Sequence, residues 1–416
     1  MKKATLIISL LFCTLAFGQT YTGPIAKPLS GYGADGAYSL TNVSVTNPVY
    51  TQNVQIYYPT GITSSVPTIF FAHGFSLSSP VSYLGFINFL VSKGYAVVFV
   101  PYPISGTNQY TVLEQGFLAA ATNYPSILDT SKVGFIGHSF GAGAIFAIAN
   151  NLITTNNWGN SGKFLVPISQ WYSYNISQSQ LENFDNSTKL LSIITEDENV
   201  TDHRMAIDIF QNINIANTEK DIVYIHTDVI SGYNYTADHY TSLTNSSFDA
   251  LDYYAIYRLV DALADYTFTG NATAKDIALG NGSTVQTQLS GGLSSLVVND
   301  FLAPQFPESN YSSPCTNALN PRASYCAALN QNSATTISTV FYPNPFKETI
   351  RLQTPLTEIR SIEVFDANFK TVAVLTNVVI ENNETTLNLS KLPSGLYFIK
   401  ITTKTTTALE KVIKLQ

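Results

Sequence analysis

Apolar runs of strand length recur between about Val54 and Asp265, each cut off by Gly, Pro, Asn or Asp. They are VQIYYP (54–59), PTIFFAHG (67–74), YAVVFVPYP (95–103), VGFIGHS (133–139), FLVPISQW (164–171), KLLSIIT (189–195) and DIVYIHT (221–227). Segments of helical period lie between several of them: TVLEQGFLAAATNY (111–124), AGAIFAIANNL (142–152) and MAIDIFQNI (205–213), with FDALDYYAIYRLVDALAD (248–265) at the end. Strands that are apolar on both faces and alternate with helices predict an α/β fold, a doubly wound and mostly parallel sheet covered on both sides. In such sheets functional groups gather beyond the carboxyl ends of the strands.

The period changes near residue 340. TIRLQ (349–353), SIEVFD (361–366), TVAVLT (371–376), TTLNLS (385–390), LYFIKITT (396–403) and LEKVIKL (409–415) are short alternating runs separated by Asn, Pro and Gly. They predict a small C-terminal all-β sandwich over 340–416. The polar stretch QNSATTIST (331–339) reads as a linker. Charge changes at the same place: from Ile337 onward nine Lys/Arg face seven Asp/Glu, whereas the whole chain has 21 against 28.

At the amino terminus Lys2 and Lys3 precede an apolar run from Ala4 to Phe17, and Ala16-Phe17-Gly18 puts small residues at the two positions a signal peptidase reads. This is the pattern of a signal peptide over 1–18, with Gln19 starting the mature chain; its apolar part is too short for a membrane span. No later segment supplies about 18 uninterrupted apolar residues, so no span is expected in the mature chain. The net charge of −7 argues against nucleic acid or an anionic membrane as partner. Cys13 lies in the signal, which leaves Cys315 and Cys326; in an exported chain two cysteines so spaced are expected to form one disulfide. They close a loop within an extension, about 270–330, of a first domain expected to span 19–330.

Candidate chemistry begins at Gly137-His138-Ser139-Phe140-Gly141. This G-x-S-x-G pattern sits between an apolar run and a small-residue helix, the strand-turn-helix context in which a serine can stand on a tight elbow as nucleophile. A serine hydroxyl is a weak nucleophile at neutral pH, so it needs an imidazole to take its proton and a carboxylate to orient that imidazole.

With this elbow, residues 54–265 resemble the α/β-hydrolase superfamily, whose triad runs nucleophile, acid, histidine. The order tests the five histidines. His73 and His138 precede Ser139, His203 follows the acidic loop at once, and His226 lies in an apolar strand. His239 remains, in the polar loop GYNYTADHYTSLTN before the terminal helix, where the superfamily places its base. The acid falls in Glu196-Asp197-Glu198-Asn199-Val200-Thr201-Asp202. The resemblance implies Glu198, since related hydrolases place the acid three residues past the strand end, here Thr195, and a hydrophobic residue, here Val200, two further on; Asp197 and Asp202 are the alternatives. A calcium ion among these carboxylates would need a loop spacing that is not present.

The resemblance further implies an oxyanion hole made by the backbone N–H of Phe140 and of Phe75, the latter in the His73-Gly74-Phe75 loop. The order Phe75, Ser139, Trp171, acidic loop, His239 is also similar to that of secreted polyester and cutinase-like hydrolases. There a tryptophan at the position of Trp171 lines the cleft. Core filler and substrate platform both stand for Trp171, as packing and acyl pocket do for the Phe75 ring. No lid is expected, because 24 residues from Phe140 to Phe164 hold one helix and a loop. The whole implies a serine hydrolase without a cofactor that cleaves hydrophobic or polymeric carboxylic esters through an acyl-enzyme. A peptidase of the same superfamily and a non-catalytic binding protein are the other classes.

The last 80 or so residues closely resemble the C-terminal sorting domain of type IX secretion in Bacteroidetes. Tyr342-Pro343-Asn344-Pro345-Phe346, Leu392-Pro393-Ser394-Gly395-Leu396-Tyr397 and Lys411-Val412-Ile413-Lys414 carry the resemblance. It implies the secretion machinery as partner, export across an outer membrane, and removal of the domain afterwards. An adhesive or carbohydrate-binding sandwich is the plainer alternative.

Overall fold

The computed structural model describes residues 20–106, 108–299, 306–332, 340–354, 359–366, 370–378, 380, 383–402 and 407–415. The expected signal peptide (1–18) and residues 333–339 of the expected linker lie outside the described residues. Two compact units result, the first ending at Cys326 and the second running from Ala327 to the end. That break falls slightly before the expected 330, inside a helix, Ala323–Asn332.

The first unit is built on a nine-stranded mixed sheet. Its strands are β1(Leu40–Val45), β2(Val54–Pro59), β3(Val66–Ala72), β4(Ala96–Phe99), β5(Leu128–His138), β6(Gly162–Ile168), β7(Lys189–Thr195) and β8(Lys220–Ile225), with β11(Val297–Val298) at one edge. A two-stranded hairpin of β9(Asp228–Ile230) and β10(Tyr233–Tyr235) stands apart. The sheet order is β1-β2-β4-β3-β5-β6-β7-β8-β11. All neighbours from β4 to β8 pair in parallel, while β1, β2 and β11 add antiparallel edges.

Alternation of side chains assigns the two faces. Ile69 and Phe71 of β3 join one large apolar cluster with α1(Leu84–Ser92), the π-helical turn Leu251–Tyr257 and α6(Arg258–Thr269). Phe70, between them, points to the other side, its ring 5.1 Å from Phe117 of α2(Gln109–Asn123). Helices therefore cover both faces, as fully apolar strands require. Helix α1, LGFINFLVS, has only Asn88 and Ser92 as polar residues on its less buried face, too narrow a stripe to set a helical period against the apolar run that follows it in β4. Helices α3(Phe140–Asn156), α4(Gln178–Glu182) and α5(Arg204–Asn212) complete the crossovers that serve the site.

The second unit is all-β. β12(Val340–Tyr342), β13(Thr349–Gln353) and β16(Glu384–Asn388) form one antiparallel sheet; β14(Ile359–Asp366), β15(Thr371–Val378), β17(Gly395–Thr402) and β18(Thr407–Lys414) form another. Ile350, Leu352 and Leu387 from the first and Ile362, Val364, Ile399, Ile401 and Val412 from the second share one buried core.

Candidate active site

Five parallel strands deliver the candidate residues to one end of the sheet. His73-Gly74-Phe75 follows β3, Ser139 follows β5, Trp171 lies three residues beyond β6, Glu198 three beyond β7, and His239 stands in the long connection after β8.

Ser139 adopts φ 54° and ψ −117°, a conformation that a residue with a Cβ rarely holds. The two glycines explain how the elbow closes. A Cβ on Gly137 would stand 2.5 Å from the carbonyl oxygen of Gly141, and one on Gly141 would stand 2.0 Å from that of Ala72. The turn is locked by Ser139 N–H donating to Ile168 O (2.9 Å) and Trp171 N–H donating to Ser139 O (3.1 Å).

The Ser139 hydroxyl lies 3.0 Å from His239 Nε2. His239 Nδ1 lies 3.0 Å and 2.9 Å from the two carboxyl oxygens of Glu198. All three residues are buried. Glu198 Oε1 also accepts the backbone N–H groups of Val200 (2.8 Å) and Thr201 (3.0 Å). Burial by itself would raise this carboxyl, but the hydrogen bond and charge of His239 and those two backbone donors outweigh it and hold it at about 2. The group is a carboxylate at any ordinary pH. An anion accepts from Nδ1–H, which leaves Nε2 as the acceptor facing the hydroxyl.

The other acids of the loop are engaged elsewhere. Asp197 accepts from Thr227 Oγ1 at 2.5 Å. Asp202 is held by Arg204 through Nε (2.8 Å) and Nη2 and accepts the backbone N–H of Cys315 (3.0 Å). Glu196 faces His226 at 3.3 Å. Among the described residues no group of three or more His, Cys, Asp or Glu is arranged to hold a metal ion.

His73 organises the loop after β3. Burial lowers its ring to about 4, so it is neutral; Nδ1–H donates to Gly74 O at 2.7 Å and Nε2 accepts Tyr102 N–H at 3.3 Å. Its ring stacks on Tyr102 at 3.9 Å. Leu77 N–H closes a turn onto Gly74 O (3.1 Å), which places Phe75 at its first central position. Phe140 opens α3, and the first amides of a helix have no partner within it.

Beside the elbow lies a cleft of about 530 Å³ whose wall includes Phe75, Ile104, Tyr110, Phe140, Trp171 and Tyr174. Trp171 is half-buried, with its ring 5.4 Å from Phe140 and 6.1 Å from Tyr174; it lines this wall and also packs against the small buried cluster of Tyr172, Met205, Cys315 and Cys326. The Phe75 ring is exposed and stands 6.3 Å from Phe140. Tyr110 and Tyr174 carry no motif; only the fold brings α2 and the segment after Trp171 to the same cleft.

The extension clamps the acid loop. Ser312 N–H donates to Asn199 O (2.9 Å) and Ser313 N–H to Val200 O (2.8 Å). Glu308 adds an ion pair to Arg204 (3.1 Å), and Arg322 pairs with Asp208 of α5. Cys315 and Cys326 are bonded. Replacing both cysteines by serine is expected to reduce stability by about 3 kcal/mol, the entropy released to the unfolded chain by opening a loop of this length. Urea unfolding of the oxidised parent and the double variant measures it.

The two units define an α/β domain with a polar triad at its sheet end and a separate antiparallel all-β domain. Residues 340–415 match the family described as the secretion system C-terminal sorting domain. This domain directs export by type IX secretion to the cell surface or extracellular space. No helix among the described residues is long and apolar enough to cross a membrane. Comparison with curated proteins gives no match.

Proposed function

We propose that residues 20–326 form an exported serine hydrolase of α/β-hydrolase type that cleaves carboxylic esters through an acyl-enzyme. The observation that carries this reading is the continuous line from the Ser139 hydroxyl through the His239 ring to the Glu198 carboxylate, with contacts of 3.0 and 2.9 Å.

In this mechanism the ester carbonyl carbon is attacked by Ser139 Oγ while His239 Nε2 takes the hydroxyl proton. The carboxylate of Glu198 keeps Nδ1 protonated and balances the imidazolium that forms. Negative charge on the carbonyl oxygen is met by the backbone N–H groups of Phe75 and Phe140, the second backed by the positive end of α3. Collapse expels the alcohol, which leaves with the proton from Nε2–H. Water, deprotonated by His239, then attacks the acyl-serine; Oγ departs with that proton and the acid is released. The aromatic wall of the cleft favours a hydrophobic acyl group, free or part of a polymer.

A fluorophosphonate probe is expected to label the folded protein at Ser139. Turnover of p-nitrophenyl butyrate is expected to exceed that of the matching anilide by at least about a hundredfold, since p-nitrophenolate leaves far more easily than the anilide nitrogen. Anilide turnover at a comparable rate would favour a peptidase, and folded protein that takes no label would favour a binding protein.

A further inference from the structure

His138, immediately before the elbow serine, plays no part in the triad, yet it is buried beside it with its ring centre 5.0 Å from that of His239. Its Nε2 lies 2.8 Å from the backbone oxygen of His239 and its Nδ1 lies 2.9 Å from the Tyr83 hydroxyl. Tyr83 is fully buried, and its oxygen accepts the backbone N–H of Gly74 at 2.9 Å. Only one proton arrangement satisfies every partner. The carbonyl can only accept, so His138 carries its proton on Nε2; Nδ1 must then accept from the Tyr83 O–H, whose oxygen is left to accept from Gly74.

We propose that Tyr83 and His138 are positioning residues that tie the Phe75 oxyanion loop, the Ser139 elbow and the His239 backbone into one register. The inference rests on the hydrolase reading above and deepens it. Gly74 precedes Phe75, His138 precedes Ser139, and the chain ends on the carbonyl of His239 itself. His239 stands four residues past β10, in a segment whose Ala237 O already accepts Asp197 N–H at 2.8 Å, and His138 adds a tether at the backbone of residue 239 itself. Burial, and then the neighbouring His239, hold the His138 ring at about 3, so it stays neutral and keeps both roles across the working pH range.

The test uses the full chain with Tyr83→Phe, His138→Met and His138→Gln. Glutamine supplies an N–H toward the His239 carbonyl, whereas methionine fills the space without a donor. Tyr83→Phe and His138→Met are each expected to lower kcat for p-nitrophenyl butyrate about tenfold with KM within about twofold, the size of one aligning hydrogen bond. His138→Gln should stay within about threefold of the parent, and the Tyr83→Phe/His138→Met double variant should fall no further than the worse single one.

A readout independent of turnover is the downfield proton resonance of the His239 Nδ1–H to Glu198 contact, recorded also in the Ser139→Ala background. It should move in Tyr83→Phe and His138→Met and stay in place in His138→Gln. Folded variants with parental kcat and an unmoved resonance would overturn the proposal, as would a glutamine variant as impaired as methionine. Loss of folding in both single variants would make the chain a core support and also overturn it. Absence of probe labelling and turnover in the parent would instead count against the hydrolase reading, while the resonance would still report on the tether.

Discussion

Ser139→Ala is expected to lower kcat for p-nitrophenyl butyrate by about 10⁶-fold and to abolish fluorophosphonate labelling, the scale seen when the nucleophile of such a triad is deleted. The residual rate should still exceed that in water, because backbone donors and the cleft remain to bind the oxyanion and acyl group. The substitution removes one oxygen from a buried site and leaves the backbone of the elbow held by Ile168 O and Trp171 N–H. Its melting temperature should therefore lie within a few degrees of the parent. The pair of measurements separates chemistry from folding: a folded, unlabelled, inactive variant places the reaction at Ser139, while one that retains turnover assigns it elsewhere.

Much of this site was legible locally. The apolar run ending at Ser139, the glycines on either side of it and the small residues after it all belong to one contiguous turn, and its steric demands are written in neighbouring letters. The carboxylate was not so legible. Glu196, Asp197, Glu198 and Asp202 are chemically near-equivalent in sequence, and what separates them is the direction in which the loop aims each side chain. Glu198 alone reaches His239, because the N–H groups of Val200 and Thr201 fold back onto it. Contacts between distant segments left no trace at all. Asp208 and Arg322 are 114 residues apart, and nothing in either stretch announces an ion pair. His138 precedes Ser139, which excludes it as the base by triad order, and nothing local gives it another role, since the partners that define it lie 55 and 101 residues away.

The alternation of the C-terminal strands was equally visible, because the residues that fill that small core recur every second position. The helices around the main sheet were less so where burial is complete. An apolar stripe records a helix with a broad wet face; on α1 only Asn88 is exposed, so its packing against Phe71 and the π-helical turn identifies it.

Glu198→Gln is expected to lower kcat by about 10⁴-fold while KM and the fold persist, the effect of presenting the histidine in the wrong tautomer. The direction follows from the backbone. Val200 and Thr201 N–H both point at Oε1, so the amide oxygen must occupy that position and the NH₂ group takes that of Oε2, 2.9 Å from Nδ1. An NH₂ donor there competes for Nδ1 with the amide oxygen 3.0 Å away, and the negative charge is gone, so the Nδ1–H tautomer is no longer enforced and the imidazolium loses its counter-charge. The same substitution changes acid stability in a defined sense. The folded carboxyl lies at about 2, below its ordinary value of 4.5, so its contribution is complete above the latter and is lost as pH falls toward the former. Urea midpoints measured between those two pH values should fall less steeply for Glu198→Gln than for the parent. Parallel slopes would show that Glu198 is not the anion paired with His239.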